Sequence, residues 1–441
     1  MQTLQLILIV VVFVAAIAAM YTKKLSALLA LPLLAIAIAV IAGIPWNDTV
    51  EGEAGLQTLV FVQGPSRLES TIINFLFAAI LAKFVEISGI AEVVIKKVSE
   101  LAGDRPLILA IALYVALAAM FTTLSGLGSV IMVGSIIIPI LTSVGVEPVV
   151  AGCMLLFGMS VGGCLNAANW SLYTGTFGIS LEQVTSFAWI AFVVFFLMGL
   201  AMIVIEVKLG GITKLLKKKG VAWPTPAAPA EPTTAGYKPH GVYGFFACLT
   251  PLVPLVCILV FKLGINIAFT IAFVYGILTT LNKDSMQRIT RAITEGIAQI
   301  AGAIFMLACI GMLLKVVMDP RVTAILAPFI AKVLPKTAIA YVVVFAICAP
   351  LTLYRGPLNL WGLGLGLGAV MFETGVLNAF QLMGALMIVG QMQGICDPTN
   401  TQNVWTASAT GTDTSDILKG TIVYVWAGII VGLIISAVMF F

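Results

Sequence analysis

Polar and charged side chains are scarce in this 441-residue chain, so the few that interrupt its apolar stretches stand out. The stretch QGICDPTNTQN, positions 393–403, places Asp397 beside Thr399, Asn400, Thr401 and Asn403, where a membrane helix should continue. A carboxyl there can exchange a proton, ligate a sodium ion or cap the half-helix that follows. Arg355 is the single arginine inside an apolar segment, in YRGPLN, with Gly356 and Asn359 as neighbours. An arginine at the membrane centre costs about 2.5–3.5 kcal/mol on insertion scales. Its planar fork suits a carboxylate, so contact with an anionic substrate and a structural pair with Asp397 both account for it. Earlier in the chain, GGCLNAANW carries Asn166 and Asn169, and SGLGS carries Ser125, Gly126 and Ser129. Their amide and hydroxyl oxygens suit a ligand, and equally suit an unwound backbone in need of partners. The candidate substrate-binding set is Ser125, Gly126, Asn166, Asn169, Arg355, Gly356, Asn359, Thr399 and Asn400. For a coupling ion the candidates are Asp397, Asn403 and Ser129.

These residues need elements to hold them, and composition says which kind. The chain is 61% hydrophobic and 10% charged, with mean hydropathy +1.13, which marks an all-α polytopic membrane protein. Only helices give the recurrent apolar runs of about 17–25 residues. The first run, LQLILIVVVFVAAIAAMY, has no basic start and no cleavage motif, and is expected to be a retained helix. Seven cysteines fall in apolar segments without a CxxC pair, which suggests neither a disulfide framework nor a zinc site. The single histidine, His240, lies in a polar linker, so an intramembrane histidine triad or three-histidine metal site is excluded, and with it most intramembrane enzyme chemistry. No cofactor is expected beyond an optional sodium ion, and nothing suggests nucleic-acid binding.

Basic residues orient the chain. TKKL, VIKKVSELAGDR, KLGGITKLLKKKG and NKDSMQRITR are expected on the cytoplasmic side. The acidic loop 45–70 then faces outward, as do both termini. A Pro-rich linker at 220–241 divides the chain into halves 1–219 and 242–441. The halves match at an offset of about 230 residues: LAKFV with LLKVV, TTLSGLGS with LTLYRGPLN, and FGMSVGGCLNAANWSLYTGT with VGQMQGICDPTNTQNVWTASATGT. Charge placement makes the repeat inverted, a signature of secondary transporters.

Each half contains two interrupted apolar segments. Segments 106–142 and 337–374 are expected to be re-entrant hairpins with similar arms, the first having a return arm of roughly a dozen residues that stops at Pro139. Segments 148–180 and 380–418 are expected to unwind near the midplane. In addition to the two hairpins and the two unwound helices, the chain should have about ten transmembrane helices. Broken backbone at that depth leaves amides and carbonyls that cost several kcal/mol each unless satisfied, so it marks a binding site. Lys83 and Glu86 are expected to form a local ion pair, and Lys262, Lys315 and Glu373 to serve helix ends. The run Gly362–Gly368 should allow close helix packing, and Trp170, Trp189, Trp405 and Trp426 should pack or anchor.

This combination of inverted halves, hairpins and Asn/Asp/Thr-rich breaks resembles the ion-transporter superfamily, which includes gluconate and citrate permeases, sodium-dicarboxylate symporters and membrane subunits of tripartite carriers. Asp397-Pro398 followed by Trp405 is similar to the gluconate permeases, although CLNAANW replaces their Pro- and His-rich first motif. The resemblance implies a bacterial inner-membrane symporter of a carboxylate or sugar acid, coupled to protons or sodium. It also implies elevator-like motion of the hairpin domains, often in a homodimer surrounded by lipid. A sodium/proton antiporter and the large subunit of a tripartite carboxylate carrier are the alternatives.

Overall fold

The computed structural model describes residues 2–22, 24–49, 52–210 and 241–441. Residues 220–240 of the expected linker, His240 among them, lie outside the described residues. All elements in the described residues are helical. Eight helices there are long and apolar enough to cross a membrane, or nine with one bent pair, and several shorter apolar helices accompany them. Two of the expected spans, Ala27–Ile41 and Ile265–Thr279, have 15 residues each. At 1.5 Å per residue each reaches only about 22 Å, short of a hydrocarbon core of about 30 Å.

The same element order appears twice. Each half has two N-terminal helical segments, a long helix (Gln57–Ile87, then Ser285–Val317) and an amphipathic helix (Ile90–Ala102, then Pro320–Val333). A hairpin follows (Pro106–Met120 with Gly126–Ser143, then Ala338–Cys348 with Gly364–Glu373). A broken helix (Pro148–Cys164 with Ala167–Phe177, then Ala379–Cys396 with Thr401–Thr410) and a final apolar helix complete the half. Local chemistry sets these boundaries. Ser180 with Gln183, and Asn378 with Gln381, form capping boxes that start Leu181–Val204 and Ala379–Cys396. Gly178 and Gly411, at φ 70° and 64°, end the second pieces of the two broken helices, in a left-handed conformation that costs glycine nothing.

Packing exchanges the halves. Ala27–Ile41 packs on the second long helix, and Ile265–Thr279 packs on the first. The return arm of each hairpin packs on the second piece of the other half's broken helix. Lipid supplies no hydrophobic force between helices, so close contact must come from small residues. The two long helices meet in this way: a Cβ on Gly296 would lie 2.9 Å from the Ala79 carbonyl, and one on Gly311 would strike the Gly64 carbonyl. Lys83 bonds Glu86 at 2.7 Å, as expected, and also reaches Glu295 of the other long helix at 3.3 Å.

Both hairpins depart from their expected lengths. The return arm of the first continues through Pro139 to Ser143, making 18 residues. A proline forfeits one backbone bond, and neighbouring helices in a membrane bundle tolerate that loss. In the second hairpin the arms have only 11 and 10 residues. Its tip is correspondingly broad, with a 3-10 segment at Ala349–Arg355 that kinks at Leu353 and Tyr354. The glycine run packs closely, as expected: Gly366 lies against Leu313, and Gly368 against Leu386 and Phe177.

Candidate functional site

Where the first broken helix loses its ladder, the chain turns by 53° between Cys164 and Ala167. Asn166 fills the gap. Its Oδ1 accepts from the Ala168 amide at 3.1 Å, capping the second piece, and its Nδ2 faces the Phe121 and Leu124 carbonyls at 3.5 and 3.4 Å. The break is thereby tied to the tip of the first hairpin. The second half makes the equivalent tie with different groups. Asp397 Oδ1 accepts from the Tyr354 amide at 3.0 Å, the Thr399 amide at 2.9 Å and the Thr399 hydroxyl at 2.7 Å. One turn earlier, Gln393 Oε1 accepts from the Leu360 amide at 3.0 Å.

The two breaks cross. Ser160 Oγ donates to Gln391 Oε1 at 2.8 Å, tying the first piece of one broken helix to the first piece of the other. Around this crossing opens a cavity of about 1340 Å³, lined from both hairpin tips, both breaks, the second long helix and the start of Ala27–Ile41.

Most of the residues singled out in the sequence meet there. Ser125, Gly126, Asn166, Asn169, Arg355, Asn359, Asp397, Thr399 and Asn400 line the cavity; Gly356, Ser129 and Asn403 do not. Gly356 sits in the tip, where a Cβ would lie 2.9 Å from the Leu353 carbonyl. Ser129 turns its hydroxyl back to the Ser125 carbonyl at 3.0 Å. Asn403 is 1% exposed and donates to the Ile395 carbonyl at 2.9 Å, while its Oδ1 has no partner among the described residues. All four asparagines of the breaks thus bond backbone carbonyls: Asn169 Nδ2 donates to the Gly163 carbonyl at 2.9 Å and Asn400 Nδ2 to the Gln393 carbonyl at 3.4 Å. Asn166, Asn169 and Asn400 also line the cavity, whereas Asn403 does not.

Arg355 and Asp397 are the charged side chains of the lining. They do not pair. Arg355 is exposed to the cavity and bonds no described residue, whereas Asp397 is 1% exposed. Helix N-termini at Gly126, Ala167 and Thr401 adjoin the cavity, as do C-termini at Cys164 and Cys396. Their partial charges suit an anion at the former and a cation at the latter. Sequence reasoning missed Ser160, Gln299, Gln391, Gln393 and Trp361 in this lining. A signal existed for the glutamines, which are amide side chains within apolar helices. Trp361, packed edge-on against Phe75 with centroids 5.3 Å apart, had none beyond proximity to the tip.

No family model matches this sequence, and no curated protein matches it either. Solved structures do. The YdaH transporter of Alcanivorax borkumensis is similar over 93% of this chain and 97% of its own, with a TM-score of 0.63 and 12% identity. MtrF of Neisseria gonorrhoeae, described within a class of antimetabolite efflux pumps, is similar over 93% of each chain, with a TM-score of 0.57 and 12% identity. The chain thus shares, over nearly its whole length, the fold of these multi-pass membrane transporters.

Proposed function

We propose that this protein is a secondary active transporter that carries a small organic anion, a carboxylate or sugar acid, across the inner membrane in symport with a proton or sodium ion. One observation carries the reading: an arginine with no partner among the described residues, on the wall of a cavity where both breaks and both hairpin tips meet. A cation left bare at that depth is costly unless a ligand arrives to neutralise it, and a carboxylate matches its fork. Asp397 is the group for the coupling ion, with Asn169, Thr399 and Asn400 offering oxygens nearby. The likeness of Asp397-Pro398 and Trp405 to gluconate permeases supports a sugar acid. The fold shared with MtrF supports a second reading, export in place of uptake.

A thermal-shift screen of the purified protein against carboxylates, with and without sodium, identifies the ligand class. Accumulation in proteoliposomes under a pH gradient alone, then a sodium gradient alone, identifies the coupling ion and the direction. If no carboxylate stabilises the protein and no gradient drives accumulation, the reading fails.

A further inference from the structure

The tip of the second hairpin holds two consecutive L-residues in the left-handed region, Tyr354 at φ 54° and Arg355 at φ 56°. Each such residue is disfavoured about five- to thirtyfold relative to a right-handed or extended one, so the surroundings must impose the turn. The first hairpin shows what an unforced version looks like. Its left-handed residue is Gly126, at φ 80°, and the break reaches its tip through the Asn166 amide in place of a carboxylate.

Several bonds hold the second tip from within. The Gly356 amide donates to the Leu353 carbonyl at 2.9 Å and the Leu358 amide to the Leu351 carbonyl at 3.2 Å. Asn359 Nδ2 donates to the Thr352 carbonyl at 3.2 Å. Two bonds come from the broken helix, and only the one from Asp397 lands on a left-handed residue. The carboxylate is itself fixed by the Thr399 amide and hydroxyl. Arg355 contributes nothing to the turn, since its guanidinium bonds no described residue.

We propose that Asp397 is a positioning residue: by accepting the Tyr354 amide it latches the left-handed Tyr354–Arg355 turn, and the turn aims Arg355 into the cavity. A change of charge at Asp397 then reaches the anion-binding group through one hydrogen bond. Ion and anion sites become linked without sharing a ligand. This rests on reading Arg355 as the anion-binding group, but the latch can be tested with no anion present.

The test is hydrogen–deuterium exchange of the full-length protein in detergent, without substrate, resolving the Gly356 and Leu358 amides. Their acceptors lie within the hairpin, so they report the turn and not merely the deleted bond. Asp397→Ala removes a hydrogen bond to a charged group and should speed both amides about ten- to a hundredfold. Asp397→Asn keeps a neutral acceptor and should speed them severalfold. Adding Tyr354→Gly to Asp397→Ala removes the left-handed penalty and should bring the rates part of the way back. Wild-type rates in Asp397→Ala, or no recovery with Tyr354→Gly, would overturn the latch. If Asp397→Ala fails to fold, the isosteric Asp397→Asn decides: unchanged rates there overturn it equally. Accelerated exchange in a protein that binds no carboxylate would retire the transport reading and leave the latch standing.

Discussion

Gly394→Ala probes the point where the two broken helices cross. A Cβ at 394 would lie 2.6 Å from Ser160 Oγ and 3.4 Å from Ser160 Cβ. The first distance is impossible for a real contact, and the second is ordinary. Ser160 must therefore rotate its hydroxyl away and lose its 2.8 Å bond to Gln391. That bond is worth about 0.5–1.5 kcal/mol, and residual overpacking adds about 1–3 kcal/mol. The single variant should thus lose about 1.5–4.5 kcal/mol. Ser160→Ala deletes the clashing oxygen and leaves only the tolerable contact. Gly394→Ala together with Ser160→Ala should accordingly be more stable than the sum of the single changes by about 1.5–4.5 kcal/mol, because the bond to Gln391 is lost once instead of twice and the overpacking is relieved. Chemical denaturation in detergent micelles gives all four corners of the cycle. Strictly additive losses would refute the crossing geometry, because they would mean that residue 394 and Ser160 do not meet.

Gly162→Ala should be damaged beyond such rescue, because its Cβ would meet the backbone of the first hairpin's tip (Ala118 O at 2.5 Å, Phe121 C at 2.9 Å); a loss at or above the top of the usual range of about 1–3 kcal/mol is expected in the same denaturation assay. Arg355→Lys keeps the charge and loses the fork. It should weaken carboxylate binding about tenfold or more while leaving the melting temperature unchanged, since Arg355 bonds no described residue. At the end of the second long helix, burial would raise the Asp319 carboxyl, but Arg321, through its guanidinium and its amide, outweighs burial and holds it below the usual range. A lowered folded-state value means that the stability from this group is present above the ordinary carboxylate pKa of about 3.9 and is lost as pH falls toward the folded value. Asp319→Asn should flatten that acid limb of a melting curve measured against pH.

Much of the site was legible in one dimension because a membrane helix cannot hide its interruptions. Asp397, Asn166 and Arg355 mark breaks, and a break in an apolar run leaves backbone groups that lipid cannot satisfy. The repeat was legible for the same reason, as two copies of one pattern of interruptions. Only the tertiary structure decided how each polar atom is used. Nothing local to Asp397 says that its carboxylate takes the Tyr354 amide, 43 positions away, and not the Arg355 side chain on the same cavity wall. The partnership of Ser160 and Gln391 required the two halves to fold across each other. So did the exclusion of Asn403 from the cavity that Asn166, Asn169 and Asn400 line. The position of a break follows from the local cost of polar groups among apolar ones. The identity of a hydrogen-bond partner depends on which distant backbone arrives with an unpaired donor or acceptor, and for that the helices must already be packed.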